Sequence, residues 1–181
     1  MRQPRRPLSP HPHVPVPDAA LAASAARGDR NALAALYQRH ASVVYSLARR
    51  LLGNPSDAED VLQDVFLGLT HALQRYAEQG NFSAWLLRIT ARTALTRARN
   101  RRPDDALSGD HPQAAADHGA RMDLDAALAS LPESLRTVFV LRAIEGFSHD
   151  EIATLLHISP ANAMQRYSRA CKQLRPLLDR T

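Results

Sequence analysis

Residues 148–170 read SHDEIATLLHISPANAMQRYSRA, and this stretch carries the strongest structural signal in the chain. Ser148 and Glu151 have the spacing of a capping box. In such a box the serine side-chain oxygen accepts a hydrogen bond from the glutamate amide, and the glutamate side chain accepts one from the serine amide. The box predicts a short helix that ends near His157. Ser159 predicts the cap of a second helix, with proline at its first position, where a missing amide N–H costs nothing. Two helices joined by a three-residue turn indicate a helix-turn-helix.

The second of these helices is basic. Residues 160–181 hold five Lys or Arg against one acid, whereas residues 123–159 hold two against six. A basic second helix is typical of a helix-turn-helix that enters the major groove of DNA. The alternative is a plain helical hairpin with a solvated face. Upstream, Leu131-Pro132 predicts a preceding helix that runs through Ile144 and stops at Gly146.

The first half of the chain also reads as helices, because residues 18–102 confine their turn residues to Arg27-Gly28-Asp29, Gly53-Asn54-Pro55 and Gln79-Gly80-Asn81. Asp29 predicts the cap of a helix over residues 30–52. A second capping box, from Ser56 to Glu59, predicts the start of the next helix.

The chain has 181 residues, which is long enough for two small domains. Its composition divides it into four parts. Residues 1–17 hold six of the 12 prolines and predict a disordered tail. Residues 18–102 form the first helical domain, residues 103–122 are aperiodic and predict a flexible linker, and residues 123–181 form the second domain. Neither domain shows strand alternation or an internal repeat, so we predict an all-α protein.

Charge and cysteine content narrow the function classes. The net charge of +5 favours an anionic partner, either nucleic acid or a membrane surface. The single cysteine, Cys171, excludes an internal disulfide framework and a multi-cysteine zinc site. We expect it to fill space in a helix, with redox sensing as the alternative. No run of about 18 apolar residues and no signal peptide are present, so we expect a soluble cytoplasmic protein with no membrane insertion.

Signatures of catalysis are absent from the sequence. It contains no nucleophile, base and orienter combination and no glycine-rich phosphate loop, so we expect neither enzymatic activity nor a small-molecule substrate nor a cofactor. The eight histidines show no ligand spacing such as H-E-x-x-H. This favours surface histidines over a metal site.

An acidic face is predicted on the helix that follows Ser56. The apolar side of this helix turns inward and leaves Asp60, Gln63 and Asp64 adjacent on another side. A solvated face favoured by the positive end of the helix dipole explains them. The alternative is a docking patch for a basic partner.

A basic face is predicted on the helix that begins near Ser83, because residues 86–102 hold six arginines and no acid. The loop from Tyr76 to Phe82 is predicted to expose aromatic rings just before it. Cations that hold phosphates and aromatics that stack bases suit an unpaired nucleic-acid strand. The alternative is a solvated helix whose aromatics belong to the core. The spacing places Arg88, Arg92 and Arg99 on one face, and Arg97, Arg101 and Arg102 extend this basic surface.

Short strings follow one another in a fixed order at Asp57–Phe66, Phe82–Leu86, Leu131–Glu133, Glu145–Ser148, Glu151–Ala153, Ile158–Ser159, Arg166 and Arg169–Ala170. Together they resemble a bacterial RNA polymerase sigma factor of the extracytoplasmic-function (ECF) type, over about residues 29–178. The chain departs from that pattern at Thr93 and Thr96, where the family often has Asn and Asp, and at residues 161–165. The resemblance therefore carries no promoter sequence with it.

The resemblance implies a role in transcription initiation. The first domain would be sigma region 2, whose acidic helix binds the clamp helices of the polymerase largest subunit through Asp60, Gln63 and Asp64. Its loop and basic helix would recognise and help to melt the minus-ten element through Phe82, Trp85, Arg88, Arg92, Arg97 and Arg99.

The second domain would be sigma region 4, with the polymerase flap as a further contact. Its recognition helix would read the minus-thirty-five element, where Asn and Gln can pair with adenine and Arg with guanine or phosphate. The residues implied are Asn162, Gln165, Arg166, Arg169 and Lys172. An anti-sigma factor is implied as a third partner, beside the polymerase and promoter DNA.

Two other functions stay open. A stand-alone DNA-binding regulator would use the same helix-turn-helix as a dimer on palindromic sites, and would leave the acidic face unexplained. A sigma-like protein that binds polymerase but no longer reads promoters is the second alternative.

Overall fold

The computed structural model describes residues 16–76, 81–100 and 119–178, with the side chains of residues 119–123, 177 and 178 left out. These ranges form helices and no strand, which confirms the predicted all-α class. The helices are α1 (Asp18–Ala26), α2 (Arg30–Leu52), α3 (Pro55–Leu73), α4 (Phe82–Asn100), α5 (Gly119–Ser130), α6 (Glu133–Phe139), α7 (His149–Leu156) and α8 (Pro160–Leu178).

Helices α1 to α4 pack around α2, which contacts each of the other three. Leu36, Val44 and Leu47 line the inner side of α2 and have no exposed surface. Burial of each such side chain stabilises the fold by about 1.5–3 kcal/mol. The buried residues of α1 are the small Ala22 and Ala25, so this short helix can lie close against its neighbours.

Helix α2 begins and ends where the sequence predicts. The Oδ1 atom of Asp29 accepts from the amides of Asn31, at 2.9 Å, and Ala32, at 3.2 Å. At the other end, Gly53 adopts a φ of +75°, a left-handed conformation that glycine reaches without steric cost.

The predicted capping box at the start of α3 is wrong. The helix begins at Pro55, and its cap is Asn54, whose side-chain oxygen accepts from the amide of Ser56 at 2.8 Å. Asparagine is among the strongest capping residues, and proline is favoured at the first helical position. The cap of α3 is therefore Asn54, two residues before Ser56. Ser56 lies inside the helix and cannot cap it in a box with Glu59.

The second group of helices confirms the predicted helix-turn-helix. Ser148 Oγ accepts from the Glu151 amide at 3.2 Å, while Glu151 Oε2 accepts from the Ser148 amide at 2.8 Å. His157 ends α7 in the left-handed region, with φ 54° and ψ 46°. The Oγ atom of Ser159 then accepts from the amide of Asn162 at 3.2 Å and caps α8.

Two features of this second group were not predicted. Helix α6 continues as a π-helical segment, Val140–Ile144, before the chain turns at Gly146. Helix α5 begins at Gly119, so the last residues of the predicted linker are helical. Residues 103–118 of that linker and residues 1–15 of the predicted tail lie outside the described residues.

Candidate docking surface and nucleic-acid interface

The acidic face lies on the outer side of α3. Gln63 and Asp64 are exposed, and the side chain of Asp60 is 46% exposed. One turn further along the same side, Leu67 is 81% exposed, which is unusual for so large an apolar residue. The sequence analysis did not assign Leu67, although its spacing of four residues from Gln63 and three from Asp64 places it on the same side of the helix. The face therefore combines two carboxylates, an amide and an apolar side chain.

Arg97 does not point outward with the rest of the basic face. Its Nε donates to Asp57 Oδ1 at 3.0 Å, and a terminal nitrogen of its guanidinium donates to Asp60 Oδ2. Burial lowers the pKa of Arg97, but the bond to Asp57 and the charges of Asp60, Asp57 and Asp64 outweigh it and raise this pKa. Arg97 thus joins α4 to the acidic face of α3.

The other arginines of α4 are exposed: Arg88, Arg92 and Arg99. An open cleft of about 690 Å³ between α3 and α4 is lined by Asp57, Asp64, Arg92, Thr93, Thr96, Arg97 and Asn100. Both signs of charge therefore meet along this cleft.

Arg88 is held by the helix-turn-helix. Its Nε and a terminal nitrogen donate to Glu151 Oε1 at 2.9 and 2.5 Å. The amide of Ser148 and then Arg88 hold the pKa of Glu151 below its ordinary value, although burial raises it. One carboxylate thus caps α7 and also joins α7 to α4.

The predicted exposed aromatic loop is wrong for the residues described at its two ends. Phe82 is only 3% exposed, and its ring centroid lies 5.8 Å from Tyr76 and 5.7 Å from Trp85. Tyr76 and Trp85 are half-buried against the same core. Phe82 in this conformation offers no face to a base, whereas Trp85 keeps part of its ring at the surface. Residues 77–80 lie outside the described residues.

A polar contact fixes α1 beside this aromatic cluster. Asp18 Oδ2 lies 2.7 Å from His40 Nε2, and Asp18 Oδ1 accepts from Arg39 at 2.8 Å. Burial raises the pKa of Asp18, but the hydrogen bonds and charges of Arg39 and His40 together outweigh it and hold this pKa below its ordinary value. The His40 ring lies 5.2 Å from Phe82, so the contact also supports Phe82 from the core side.

Helix α8 presents a polar outer side. Gln165, Arg169 and Lys172 are exposed on it, and Met164 is 57% exposed. Asn162 and Arg166 are half-buried, and Arg166 Nε donates to Asn162 Oδ1 at 2.8 Å. The predicted recognition residues thus fall into an exposed set and a bonded pair.

Arg166 borders a second cleft, of about 490 Å³, between the two groups of helices. Its walls come from α4, α6, α7 and α8, and they include Leu95, Ala98, Arg99, Glu133, Thr137, Leu155 and Arg166. Arg50 adds a further contact between the groups, because its Nε lies 3.6 Å from Asp125 and a terminal nitrogen lies 4.0 Å from Glu145.

Among the described residues, no group of three or more His, Cys, Asp or Glu side chains is placed to hold a metal ion. Cys171 is half-buried beside Tyr167. The hydrogen bond between the two side chains is the largest cause that raises the pKa of the Tyr167 hydroxyl, and burial is the second. Within the described ranges, every helix is too short or too polar to span a lipid bilayer.

Comparison with known proteins gives matches over both groups of helices. The family described as Sigma-70 region 2 matches residues 36–103, and the family described as Sigma-70, region 4 matches residues 121–174. The ECF RNA polymerase sigma factor SigE of Mycolicibacterium smegmatis is 38% identical over 84% of this chain, which spans 65% of that relative. The RNA polymerase sigma factor CarQ of Myxococcus xanthus is 35% identical over 83% of this chain and 91% of its own length.

Solved structures of similar proteins share the fold. CnrH, solved in complex with the cytosolic domain of CnrY, aligns with a TM-score of 0.59 and 32% identity, over 90% of this chain and 97% of that chain. The sigma factor RpoE of Bartonella quintana, solved with the anti-sigma factor NepR, aligns with a TM-score of 0.61 and 24% identity, over 79% of this chain and 94% of that chain.

Proposed function

Because the chain belongs to the RNA polymerase sigma factors of the extracytoplasmic-function type, we propose that it binds core RNA polymerase, directs it to specific promoters and assists DNA melting. The observation that carries this proposal is an exposed acidic face on α3 in the same chain as a helix-turn-helix with an exposed polar side. A stand-alone DNA-binding regulator would leave the first surface unexplained.

The acidic face is the proposed docking surface for the clamp helices of the polymerase largest subunit. Asp60, Gln63 and Asp64 lie within two turns of α3, so their side chains can contact one partner surface together. Carboxylates at a partly exposed interface speed association with a basic partner and fix its orientation. The apolar Leu67 on the same side would add contact area to the polar anchors.

The minus-ten element is assigned to α4. Trp85 has a partly exposed ring for stacking, and Arg88, Arg92 and Arg99 supply charge for phosphates. Phe82 would support the Trp85 ring from the core. Arg88 must leave Glu151 to reach a phosphate, so DNA and the helix-turn-helix compete for it.

The minus-thirty-five element is assigned to α8. Gln165 and Arg169 have the exposure and the hydrogen-bonding groups for base edges, and Lys172 has the charge for a phosphate. Asn162 accepts from Arg166 with its oxygen, and its NH₂ group keeps two donors for an acceptor on a base.

Residues 18–102 are proposed to act as sigma region 2 and residues 123–181 as sigma region 4. The polymerase flap is proposed as a second contact between this chain and the polymerase. We propose an anti-sigma factor as a further partner, because CnrH was solved with CnrY and RpoE with NepR. A protein with these partners would act in the cytoplasm.

The test is whether the purified full chain co-elutes with core polymerase and lets it start transcripts from a genomic promoter library. Initiation at promoters that share a pair of elements would support the proposal. Binding without initiation would favour a sigma-like protein that has lost promoter reading. Specific DNA binding without polymerase binding would favour the stand-alone regulator.

The docking surface is tested by Asp64→Lys. Placing a cation against a basic partner should weaken core binding about tenfold or more. Asp150→Lys is the matched control, because Asp150 is an exposed carboxylate on α7 and gives the same change in net charge. Equal core affinity of the two variants would remove the acidic face from the mechanism.

A further inference from the structure

Arg97 stands apart from the other arginines of α4. Its side chain is 35% exposed, compared with 54% for Arg88, and its guanidinium is turned toward α3. Two nitrogens of that guanidinium donate to two different carboxylates, those of Asp57 and Asp60. A planar guanidinium suits this geometry, because its donors leave in fixed directions that can reach two acceptors at once.

The two carboxylates belong to different parts of α3. Asp57 lies in the first turn, and its side chain is only 16% exposed. Asp60 lies three residues later, at the edge of the acidic face, and its side chain is 46% exposed. Arg97 therefore reaches from a nearly buried acid to one that a partner can touch.

Without Arg97 the same surface would carry three carboxylates close together. Asp57 and Asp60 are three residues apart, and Asp60 and Asp64 are four apart, so both pairs are neighbours on the helix surface. Like charges at these spacings repel, and exposed side chains relieve repulsion by turning away from one another. The guanidinium offsets this repulsion and restricts the Asp60 side chain to the orientation that accepts from it.

We propose that Arg97 is a positioning residue of the docking surface: it holds Asp60 in the orientation that the polymerase meets, and it does not contact the minus-ten DNA. The inference rests on the proposed function, because it requires that the acidic face bind core polymerase. Asp60 remains able to bind a partner, since a carboxylate accepts about four hydrogen bonds and Arg97 supplies one of them.

The experiment measures core-polymerase affinity of the full chain for Arg97→Ala, Asp60→Asn and the double variant. We expect Arg97→Ala to weaken binding about three- to tenfold. In the Asp60→Asn background the same substitution should change the affinity less than about twofold, because there is no longer a charged Asp60 to position. Arg30→Ala is the matched control and should leave core affinity unchanged, since Arg30 is an exposed arginine at the start of α2 and belongs neither to the acidic face nor to a proposed DNA-contacting helix.

Arg97→Lys separates positioning from charge. Lysine keeps the positive charge but lacks the planar fork that reaches both carboxylates. The affinity of this variant for core polymerase should therefore fall between those of the wild type and Arg97→Ala. Wild-type affinity for Arg97→Lys would show that charge alone suffices and would overturn the positioning role. Urea unfolding of each variant establishes that the protein is folded under the binding conditions.

Two results distinguish the failure of this inference from failure of the proposed function. If Asp60→Asn and Asp64→Lys weaken core binding while Arg97→Ala does not, the docking surface stands and the role of Arg97 is refuted. If none of the three weakens core binding, the docking surface itself fails. If Arg97→Ala leaves core affinity unchanged but weakens capture of an unpaired minus-ten strand by the assembled polymerase, Arg97 is a DNA contact.

Discussion

Replacing Phe82 by alanine tests whether its ring supports the core or serves a nucleic-acid base. Phe82 is 3% exposed and packs within 6 Å, centroid to centroid, of Tyr76, Trp85 and His40. Removal of so buried a ring leaves a cavity, and such substitutions cost about 3–5 kcal/mol of unfolding free energy. Phe82→Leu keeps an apolar side chain in the same place, and we expect it to cost about 1–2 kcal/mol.

Urea unfolding followed by tryptophan fluorescence measures this cost directly. Trp85 is the only tryptophan of the chain, and its ring centroid lies 4.7 Å from Tyr76 in the same cluster. Unfolding free energies of small proteins fall by about 1–3 kcal/mol per molar urea. The alanine variant should therefore unfold at a urea concentration lower by about 1 M or more.

Binding to an unpaired DNA strand by the assembled polymerase completes the test. Phe82→Leu should bind the strand as the wild type does, because the ring of Phe82 is covered by its neighbours. The reasoning would be refuted by an alanine variant with an unchanged urea midpoint and a lost affinity for the strand. That result would mean that the ring leaves the core to stack on a base.

Three further predictions concern the helix-turn-helix. Ser148→Ala removes the cap of α7 and should lower the unfolding free energy by about 1 kcal/mol in a denaturant titration, and an unchanged midpoint would contradict the cap. The pKa of Glu151 lies below its ordinary value of 4.5, so its contribution to stability is complete above that pH and is lost as the pH falls through the lowered pKa. The stability difference between wild type and Glu151→Gln should accordingly shrink in acid, and a constant difference would count against the contact with Arg88. Gln165→Ala should relax base preference at one promoter position, whereas Lys172→Ala should weaken binding to all DNA sequences alike and reduce its salt dependence. If both variants lose affinity equally for all sequences, Gln165 and Lys172 both contact phosphates.

Local signals in the sequence predicted the helix-turn-helix well. The capping box at Ser148, the break at His157 and the cap at Ser159 depend on neighbouring residues, and the structure has all three. The same kind of signal misplaced the start of α3, because two overlapping caps compete there and Asn54 with Pro55 starts the helix earlier. Such competition is decided by small energy differences that a single motif does not reveal.

Tertiary contacts account for the remaining differences. The run of arginines in α4 placed Arg97 on the basic surface, but a sequence pattern cannot show that a long side chain turns back toward Asp57 on another helix. Phe82 was expected in an exposed loop because it follows a glycine break, yet its ring fills the space beside Trp85. Leu67 is the opposite case, an apolar residue of α3 that the packing leaves outside.

The two oxygens of Glu151 have separate tasks, and this separation bears on how the halves of the protein can part. Oε2 accepts from the Ser148 amide and completes the cap, whereas Oε1 accepts both bonds from Arg88. Of these hydrogen bonds of Glu151, withdrawal of α7 from α4 would break those at Oε1 and leave the one at Oε2 intact. The helix-turn-helix, with its cap intact, would then move as one rigid unit and would need no refolding to bind DNA.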